Sequence, residues 1–479
     1  MKILFIQQDV FKNYGIMILS AILKTNGHKC DILIDSLEKN LVERIESIKP
    51  DIIGFSITSP RYSWMKNLAK KIKSEFERPI VVGGPHPTFH PEIISEDFVD
   101  IVCIGEGEHA ILELLEKLGN GEDMTKIKNL WVKKEGESHK NPIRNLVEDL
   151  DSIPWADRDL YRRYSFLRSQ NTDIFMAGRG CPYNCTFCFN KRYNALYKDK
   201  GKVLRRRSVL SLINEIKKAI SANRKVSSLV FCDDTFTLGS RNWFNEFLSR
   251  YRQEINLPFS ITARANLVDE DIIKRLKAAG CNSIRMAIES ANQHLREKVL
   301  KKGLTSEAIV NAATIIKNSK IKLQLYSVLG TPGETLDTGL ETYELSYKLH
   351  PQHAWCSLMQ PYPGTEIMEV AREQNLIGEN YRFEELDSSY FSTLPLDIDD
   401  KREIVNLQKL FQLGNVLRIP KSVMKRLIKL PSNRLFELIF RINYAVGIKR
   451  MDALSWSYVV KAAMRSKGYF TRQKSIKAA

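Results

Sequence analysis

Apolar residues in the first 130 positions follow two alternating patterns. Short continuous runs at 2–6, 30–34, 51–56, 79–82 and 101–104 have strand length. The stretches between them, at 17–25, 37–48, 64–76 and 108–118, repeat apolar residues at helical spacing. The punctuation agrees: Asn26-Gly27 and Pro50 close two helices, while Gly83-Gly84 and Gly105 stop two strands. Strands alternating with helices over short connections predict an α/β fold built on a doubly wound parallel sheet. Ligands on such sheets bind beyond the carboxyl ends of the strands.

The alternation stops at about 135 and resumes at 171. Strands are expected at 173–177, 228–232, 258–262, 283–288, 322–329 and 354–359, with amphipathic helices between them. Six such units predict a partial (β/α)6 TIM-like barrel, whose reactive residues sit at strand carboxyl ends. After Gly378 the pattern is helical, at 401–417, 421–430, 434–446 and 453–465, with Pro420 and Pro431 as separators. The chain therefore divides into a first domain at 1–135, a linker strap at 136–170, the barrel at 171–375 and a helical C-terminal region at 376–479.

Composition changes this picture in two places. A chain of 479 residues with 43% hydrophobic and 27% charged residues is an ordinary folded protein of two or three domains. The N-terminus MKILFIQQDV reads as a first strand rather than a leader, and no apolar run approaches a membrane span. Cys30, Cys103, Cys232, Cys281 and Cys356 are scattered singly, mostly in or beside apolar stretches, which suits reduced thiols in the cytoplasm. The net charge of +17 is local: residues 401–479 hold eighteen Lys and Arg against Glu403, Glu437 and Asp452. Basic helices carrying the apolar run Leu435–Tyr444 suggest a peripheral contact with anionic lipid. The alternative is a helical cap on the barrel with a solvated basic face. No nucleic-acid motif is present.

The remaining three cysteines lie together in MAGRGCPYNCTFCFN, residues 176–190, as Cys181, Cys185 and Cys188 in C-x3-C-x2-C spacing. Iron–sulfur clusters are held by clustered Cys thiolates, usually four. Three imply a [4Fe–4S] cluster with one open iron, a catalytic arrangement by the logic of open zinc sites. A zinc knuckle short of a ligand, or disulfides, are the alternatives. With Phe187 just before the last Cys, the stretch resembles the radical SAM superfamily signature.

In the first domain, strand ends carry Ser56-Ile57-Thr58, Gly83-Gly84-Pro85-His86-Pro87-Thr88 and Gly105-Glu106-Gly107-Glu108. Glycines there let a flat ligand approach the backbone, and hydroxyls can bond its polar rim. Together the three loops resemble the cobalamin-binding domain that precedes the barrel in one large radical SAM subgroup. The strap VEDLDSIPW at 147–155 is similar to that subgroup's inter-domain strap. The resemblance implies that Ser56, Thr58, Gly83, Gly84, Pro85, His86, Thr88, Gly105, Glu106 and Gly107 contact cobalamin. Domains that ligate cobalt through a protein His carry D-x-H-x-x-G after the first strand. Here Phe11 stands at the His position, so the lower cobalt face is expected to be water-bound or empty. The N-terminal module of tRNA methylthiotransferases brings three further clustered Cys, which this domain lacks.

The resemblance also assigns a site for S-adenosylmethionine. Asp233 and Asp234 fall where the family binds the amino group, with a helix cap as the alternative for Asp234. Arg264 would pair with the carboxylate and Glu289 with the ribose, in Ala287-Ile288-Glu289-Ser290 where the family has Gly-Ile-Glu-Ser. Phe187 would lay its backbone against adenine, and Gly330 opens a tight loop. The implied activity is reductive cleavage of S-adenosylmethionine to a 5′-deoxyadenosyl radical, using a ferredoxin- or flavodoxin-type electron donor. With cobalamin present, it would methylate an unactivated carbon of a lipid or natural-product-type small molecule. Cyclisation or rearrangement is the alternative; a non-catalytic cobalamin or redox sensor would not need the polar strand ends.

Overall fold

The computed structural model describes residues 1–378, 381, 386, 390–451 and 454–465. The expected start of the last helix at 453 and the basic residues beyond 465 lie outside the described residues.

The first sheet is built from β1 (Lys2–Gln7), β2 (Lys29–Ile34), β3 (Ile52–Ser56), β4 (Ile80–Gly83) and β5 (Ile101–Cys103), all parallel, in the order β2-β1-β3-β4-β5. Both faces are covered, which is why these strands read as unbroken apolar runs. Ile3 and Phe5 enter the core on one side, Leu4 and Ile6 the core on the other. The order reverses between β1 and β3, the place where doubly wound sheets bind ligands.

Two strands extend this sheet antiparallel to β5: β6 (Leu130–Lys134) and β7 (Glu137–Lys140). The sequence pattern indicates one short strand at 130–132 and misses β7, because β7 is charged and has little to bury. Its position is fixed by the turn instead. Glu135 and Gly136 have φ of 53° and 82°, the pair of left-handed residues a two-residue hairpin requires. The first helix, Tyr14–Thr25, starts three residues before its apolar pattern, because the Asn13 side chain accepts from the Ile16 amide as an N-cap.

The second sheet runs β8 (Thr172–Phe175), β11 (Ser228–Phe231), β12 (Phe259–Ala263), β13 (Cys281–Glu289), β14 (Lys322–Leu329) and β15 (His353–Leu358), each parallel to its predecessor. A small antiparallel pair, β9 (Gly178–Arg179) and β10 (Arg205–Arg206), sits beside the start of the sheet. Ile284, Met286 and Ile288 point into the core shared with the helices, while Arg285 on the opposite face donates to Ser260 Oγ at 3.2 Å.

The strap joins both halves. Tyr161 accepts from the Asn13 amide at 2.9 Å and donates to Gln7 at 2.6 Å, holding the loop after β1. Trp155 donates to Ser211, and Arg158 pairs with Asp173 at 2.6 Å and Glu215 at 2.7 Å on the barrel side.

The C-terminal helices cover the open edge of β15. Helix Lys401–Val416 offers Gln408 to the Cys356 carbonyl at 3.0 Å and Gln412 to the Ala354 amide at 2.6 Å. Two side chains one helical turn apart thus satisfy an unpaired strand edge. Helix Arg434–Met451 runs past 446 with Gly447 inside it, where a Cβ would overlap the His353 ring. Glycine serves close packing here rather than termination. The apolar run in this helix divides: Phe436 and Phe440 are buried against the barrel, while Leu435, Leu438 and Ile442 are exposed. Among the described residues no helix is long and apolar enough to cross a membrane.

Candidate active site

The Cys loop leaves β8 and is fixed on three sides. Gly178 and Gly180 lie against the chain entering β10; a Cβ at either would overlap the carbonyls of Arg205 or Val203. Thr186 donates to the Val299 carbonyl at 2.7 Å, and its amide donates to the Leu300 carbonyl at 3.1 Å. Asn194 donates to the Cys181 carbonyl at 3.0 Å. Cys188 is the N-cap residue of helix Phe189–Leu196. All eight thiols are unbridged. Burial pushes the Cys188 thiol up to about 12 and raises that of Cys181 as well. A metal takes the thiolate form, so binding would release protons from these thiols. Among the described residues no three His, Cys, Asp or Glu gather closely enough for a single ion. Three thiols on one loop suit an iron–sulfur cluster, which Cys thiolates hold.

The polar strand ends of the barrel surround this loop. Arg264 follows β12 and lies 3.7 Å above the Tyr183 ring, with one nitrogen donating to the carbonyls of Lys302 and Gly303. Its Nε is buried and has no partner, a donor that fits an incoming carboxylate. Glu289 ends β13 at a φ of 60°, where the ladder to β14 shifts register. Left-handed backbone is uncommon for a non-glycine residue, and here it goes with the break in the ladder. Its carboxylate accepts from Lys302 Nζ at 2.5 Å, and that ammonium also lies 5.9 Å from the Phe187 ring. Gly330 follows β14; a Cβ there would run into Leu394, and its amide donates to Glu334.

The two neighbouring aspartates part company. Asp233 is buried and accepts from the Ala177 amide at 3.1 Å, with Arg206 at 3.7 Å. Burial pushes its carboxyl up to about 6 against the pull of Arg206. Asp234 instead lines a cavity, beside Asn190. It does not cap the next helix; Ser240 does.

That cavity, about 520 Å³, lies between the two sheets. From the first domain it is lined by Ser56, Thr58, Gly83, Gly84, Pro85 and the loop Gly105-Glu106-Gly107. From the barrel it is lined by Met176, Gly180, Phe189, Asn190, Tyr193 and Asp234. Phe5, Ile18, Val81 and Ile111 make its floor apolar. A cavity with apolar floor and bare backbone rim fits a flat macrocycle with polar edges.

Two of the glycines answer to protein neighbours. Gly84 has φ of 98°, and a Cβ would lie 2.8 Å from the Ile57 amide nitrogen and carbonyl oxygen. Gly105 has φ of 74°, and a Cβ would overlap the Tyr197 hydroxyl of the barrel. His86 and Thr88 do not line the cavity. His86 is buried beside Ser59 Oγ at 3.1 Å, with its ring against Tyr62, and burial lowers its pKa to about 3. Thr88 donates to the Gly84 carbonyl at 2.8 Å and accepts from the Gly105 amide at 3.0 Å, tying two loops together. No His is among the residues lining the cavity.

Glu106 joins the two halves of the chain. It accepts from Arg205 through both oxygens at 2.9 and 3.0 Å, from Arg179 at 3.1 Å and from the Val147 amide at 3.0 Å. Burial alone would raise its pKa, but Arg205 and Arg179 hold it below the usual carboxylate range. Glu108 adds a 2.6 Å pair to Arg179. Sequence reasoning missed Arg179, Arg205, Lys302 and Thr186. The run Arg205-Arg206-Arg207 was the available signal: each arginine faces a different carboxylate, of Glu106, Asp233 and Glu215.

Residues 8–115 match the B12 binding domain family, and residues 176–346 match the radical SAM superfamily. An uncharacterized methyltransferase of Pyrococcus horikoshii is 29% identical over 354 residues, which is 72% of this chain and 75% of the relative. The anaerobic magnesium-protoporphyrin IX monomethyl ester cyclase of Rubrivivax gelatinosus is 25% identical over 371 residues, 73% of this chain and 64% of the relative. The radical S-adenosylmethionine methyltransferase TsrM of Kitasatospora setae shares the fold at a TM-score of 0.64 and 18% identity, over 78% of this chain and 76% of that one. The two matched domains, in this order and around one cavity, identify the chain as a member of the cobalamin-binding radical SAM enzymes, with a [4Fe–4S] cluster, S-adenosylmethionine and cobalamin as its cofactors.

Proposed function

We propose that this enzyme methylates an unactivated carbon of a small-molecule substrate. The observation that carries the reading is the shared cavity. The strand ends suited to cobalamin and the residues around the Cys loop are walls of one space of about 520 Å³. When bound, the cluster and S-adenosylmethionine supply a radical able to take hydrogen from an unreactive carbon, and cobalamin supplies a transferable methyl group.

The chain's own residues hold and shield these groups. Cys181, Cys185 and Cys188 would hold three irons. Arg264, with its unpartnered Nε, would take the methionyl carboxylate, and Asp234 on the cavity wall the amino group. Asp233 holds the base of the Cys loop through Ala177 and is a positioning residue. Glu289, held by Lys302, would accept from ribose hydroxyls, and the backbone at Phe187 would lie against adenine. Gly330 keeps the loop beneath Leu394 closed. Ser56, Thr58, Gly83, Gly84, Pro85, Gly105, Glu106 and Gly107 would border cobalamin, while His86 and Thr88 support their loops from behind. An external one-electron donor of ferredoxin or flavodoxin type completes the system.

The test is anaerobic turnover of the reconstituted enzyme with a candidate substrate and a reductant. Product heavier by one CH2, together with 5′-deoxyadenosine, is expected. 5′-Deoxyadenosine with a product that has gained no carbon would favour cyclisation or rearrangement, the reading supported by the cyclase relative. A peripheral membrane contact through the basic C-terminal helices completes the proposal. Its support is the exposed Leu435, Leu438 and Ile442 on a strongly basic region.

A further inference from the structure

A second cavity, about 690 Å³, lies where β14 and β15 begin, away from the strand ends that carry the Cys loop. It is lined by Lys322, Arg418, Lys449 and Arg450 together with His350, and no carboxylate lines it. Three helices end here: Leu336–Leu349, Lys401–Val416 and Arg434–Met451. Each carboxyl end carries roughly half a negative charge, so three ends offset about one and a half of the four positive charges. The bonds agree with that arithmetic. Arg418 donates to the Tyr347 carbonyl at 2.5 Å, and Lys322 to the Arg450 carbonyl at 3.3 Å. Lys449 and Arg450 have no carboxylate partner among the described residues. Among the described residues the cavity keeps a positive surplus that an anion would neutralise.

The surface beside it decides which anion. Leu435, Leu438 and Ile442 share one narrow stripe of helix Arg434–Met451, and Lys449 falls on the same stripe two turns further on. Lys449 Nζ lies 5.5 Å from the Trp456 ring. Trp456 begins a second exposed stripe with Val460 and Met464, one turn apart each. Two exposed apolar stripes therefore meet at the basic cavity. A free phosphate would need the cavity alone; a lipid needs apolar surface beside it, at the level where tryptophan settles in membrane interfaces.

We propose that this cavity holds the phosphate of an anionic phospholipid headgroup, with the Leu435–Ile442 and Trp456–Met464 stripes entering the interface around it. The inference rests on the peripheral membrane reading and names its ligand and its site. Lys449 and Arg450 bind the phosphate; Lys322 and Arg418 keep two of the helix ends capped and hold the cavity's shape.

The experiment is flotation of the full-length enzyme with phosphatidylcholine vesicles and with vesicles containing phosphatidylglycerol. Wild type is expected to float with the second and not the first. Lys449→Gln/Arg450→Gln should lose roughly tenfold or more of that partitioning, since each basic residue near an anionic surface contributes about 1 kcal/mol. Lys70→Gln/Lys71→Gln removes the same charge from another exposed surface and should change it little. Leu435→Ser/Leu438→Ser/Ile442→Ser should lose binding as well, with its circular dichroism unchanged. If wild type floats with neither vesicle, the membrane reading falls and the headgroup site with it. If the Lys449/Arg450 variant floats like wild type, the headgroup site is overturned and the membrane reading stands on the apolar stripes. If wild type does not float but binds inorganic phosphate in equilibrium dialysis, and the Lys449/Arg450 variant does not, the cavity takes a free anion and the lipid assignment is overturned.

Discussion

The two cavities are of similar size and opposite electrostatic design. In the one between the domains, charged groups are matched: Glu106 and Glu108 face Arg179 and Arg205 in buried pairs. In the one at the base of the barrel, Lys449 and Arg450 stand without a carboxylate among the described residues. Matched buried charges fix a geometry, because removing either partner leaves the other desolvated. Unmatched charges at a surface leave a position for something outside the chain. The first cavity is thus built to hold its shape before any cofactor arrives. The second is built to be completed.

The largest expected effect comes from unmatching the first cavity. Glu106→Gln leaves Arg205 buried without a carboxylate and Arg179 with Glu108 alone. Breaking a buried pair in this way costs about 3–5 kcal/mol, and here both domains share it. Denaturant unfolding should show the loss, and limited proteolysis should show the strap opening first. An unfolding midpoint that does not move would mean that Glu106 is not what fixes the cavity.

A somewhat smaller effect tests Asp233 beneath the Cys loop. Its carboxyl titrates at about 6 in the folded protein, above the ordinary 3.8, because it is buried. The folded state therefore keeps a proton that the unfolded chain releases between those values, so stability falls as pH rises through that window and stays lowered above it. A net shift of that size, with the pull of Arg206 already included, corresponds to roughly 3 kcal/mol. Asp233→Asn should flatten the dependence of the unfolding free energy on pH between 4 and 6. A slope unchanged in the variant would assign the titration to another group.

These residues also show what could be read from the chain. The strands of both sheets were legible because each buries both faces or alternates cleanly, and β14 was placed to the residue. Strand β7 was not, since a hairpin turn rather than burial positions it. The three cysteines stand out by their spacing, and the polar residues by falling at strand ends, which is where the structure places them. What was not legible is which of two adjacent residues faces the cavity. Asp233 and Asp234 differ by one position and point to opposite sides of a strand end. Gly84 and Gly105 line the cavity, and Ile57 and Tyr197 require them to be glycine for a second reason that the sequence does not display. Lys302 was hidden because its meaning lies in Glu289, thirteen positions away. Long-range pairing, not local pattern, carries that information.

Arg264 separates a group that waits for a ligand from one that only holds structure. Its Nε is buried without a partner, while another nitrogen already holds the Lys302 and Gly303 carbonyls. Arg264→Ala should raise the KM for S-adenosylmethionine by about 10- to 100-fold, the range for a hydrogen bond to a charged group. Arg264→Lys should restore little, because an ammonium cannot reach the carbonyls and the carboxylate together. A KM unchanged in both variants would place the carboxylate elsewhere.

The smallest effect belongs to the second cavity and is the sharpest test of the contrast. Lys449 and Arg450 lie beside Lys322 and Arg418 with no carboxylate to relieve them among the described residues. Their neutralisation to Gln should therefore leave the isolated enzyme as stable as before or raise its stability by up to about 0.5 kcal/mol, the range for surface charges. The gain should shrink as salt is added, since screening relieves the same repulsion in the wild type. A destabilisation comparable to that of Glu106→Gln would mean that these two cations already have a partner within the chain, and the two cavities would then share one design.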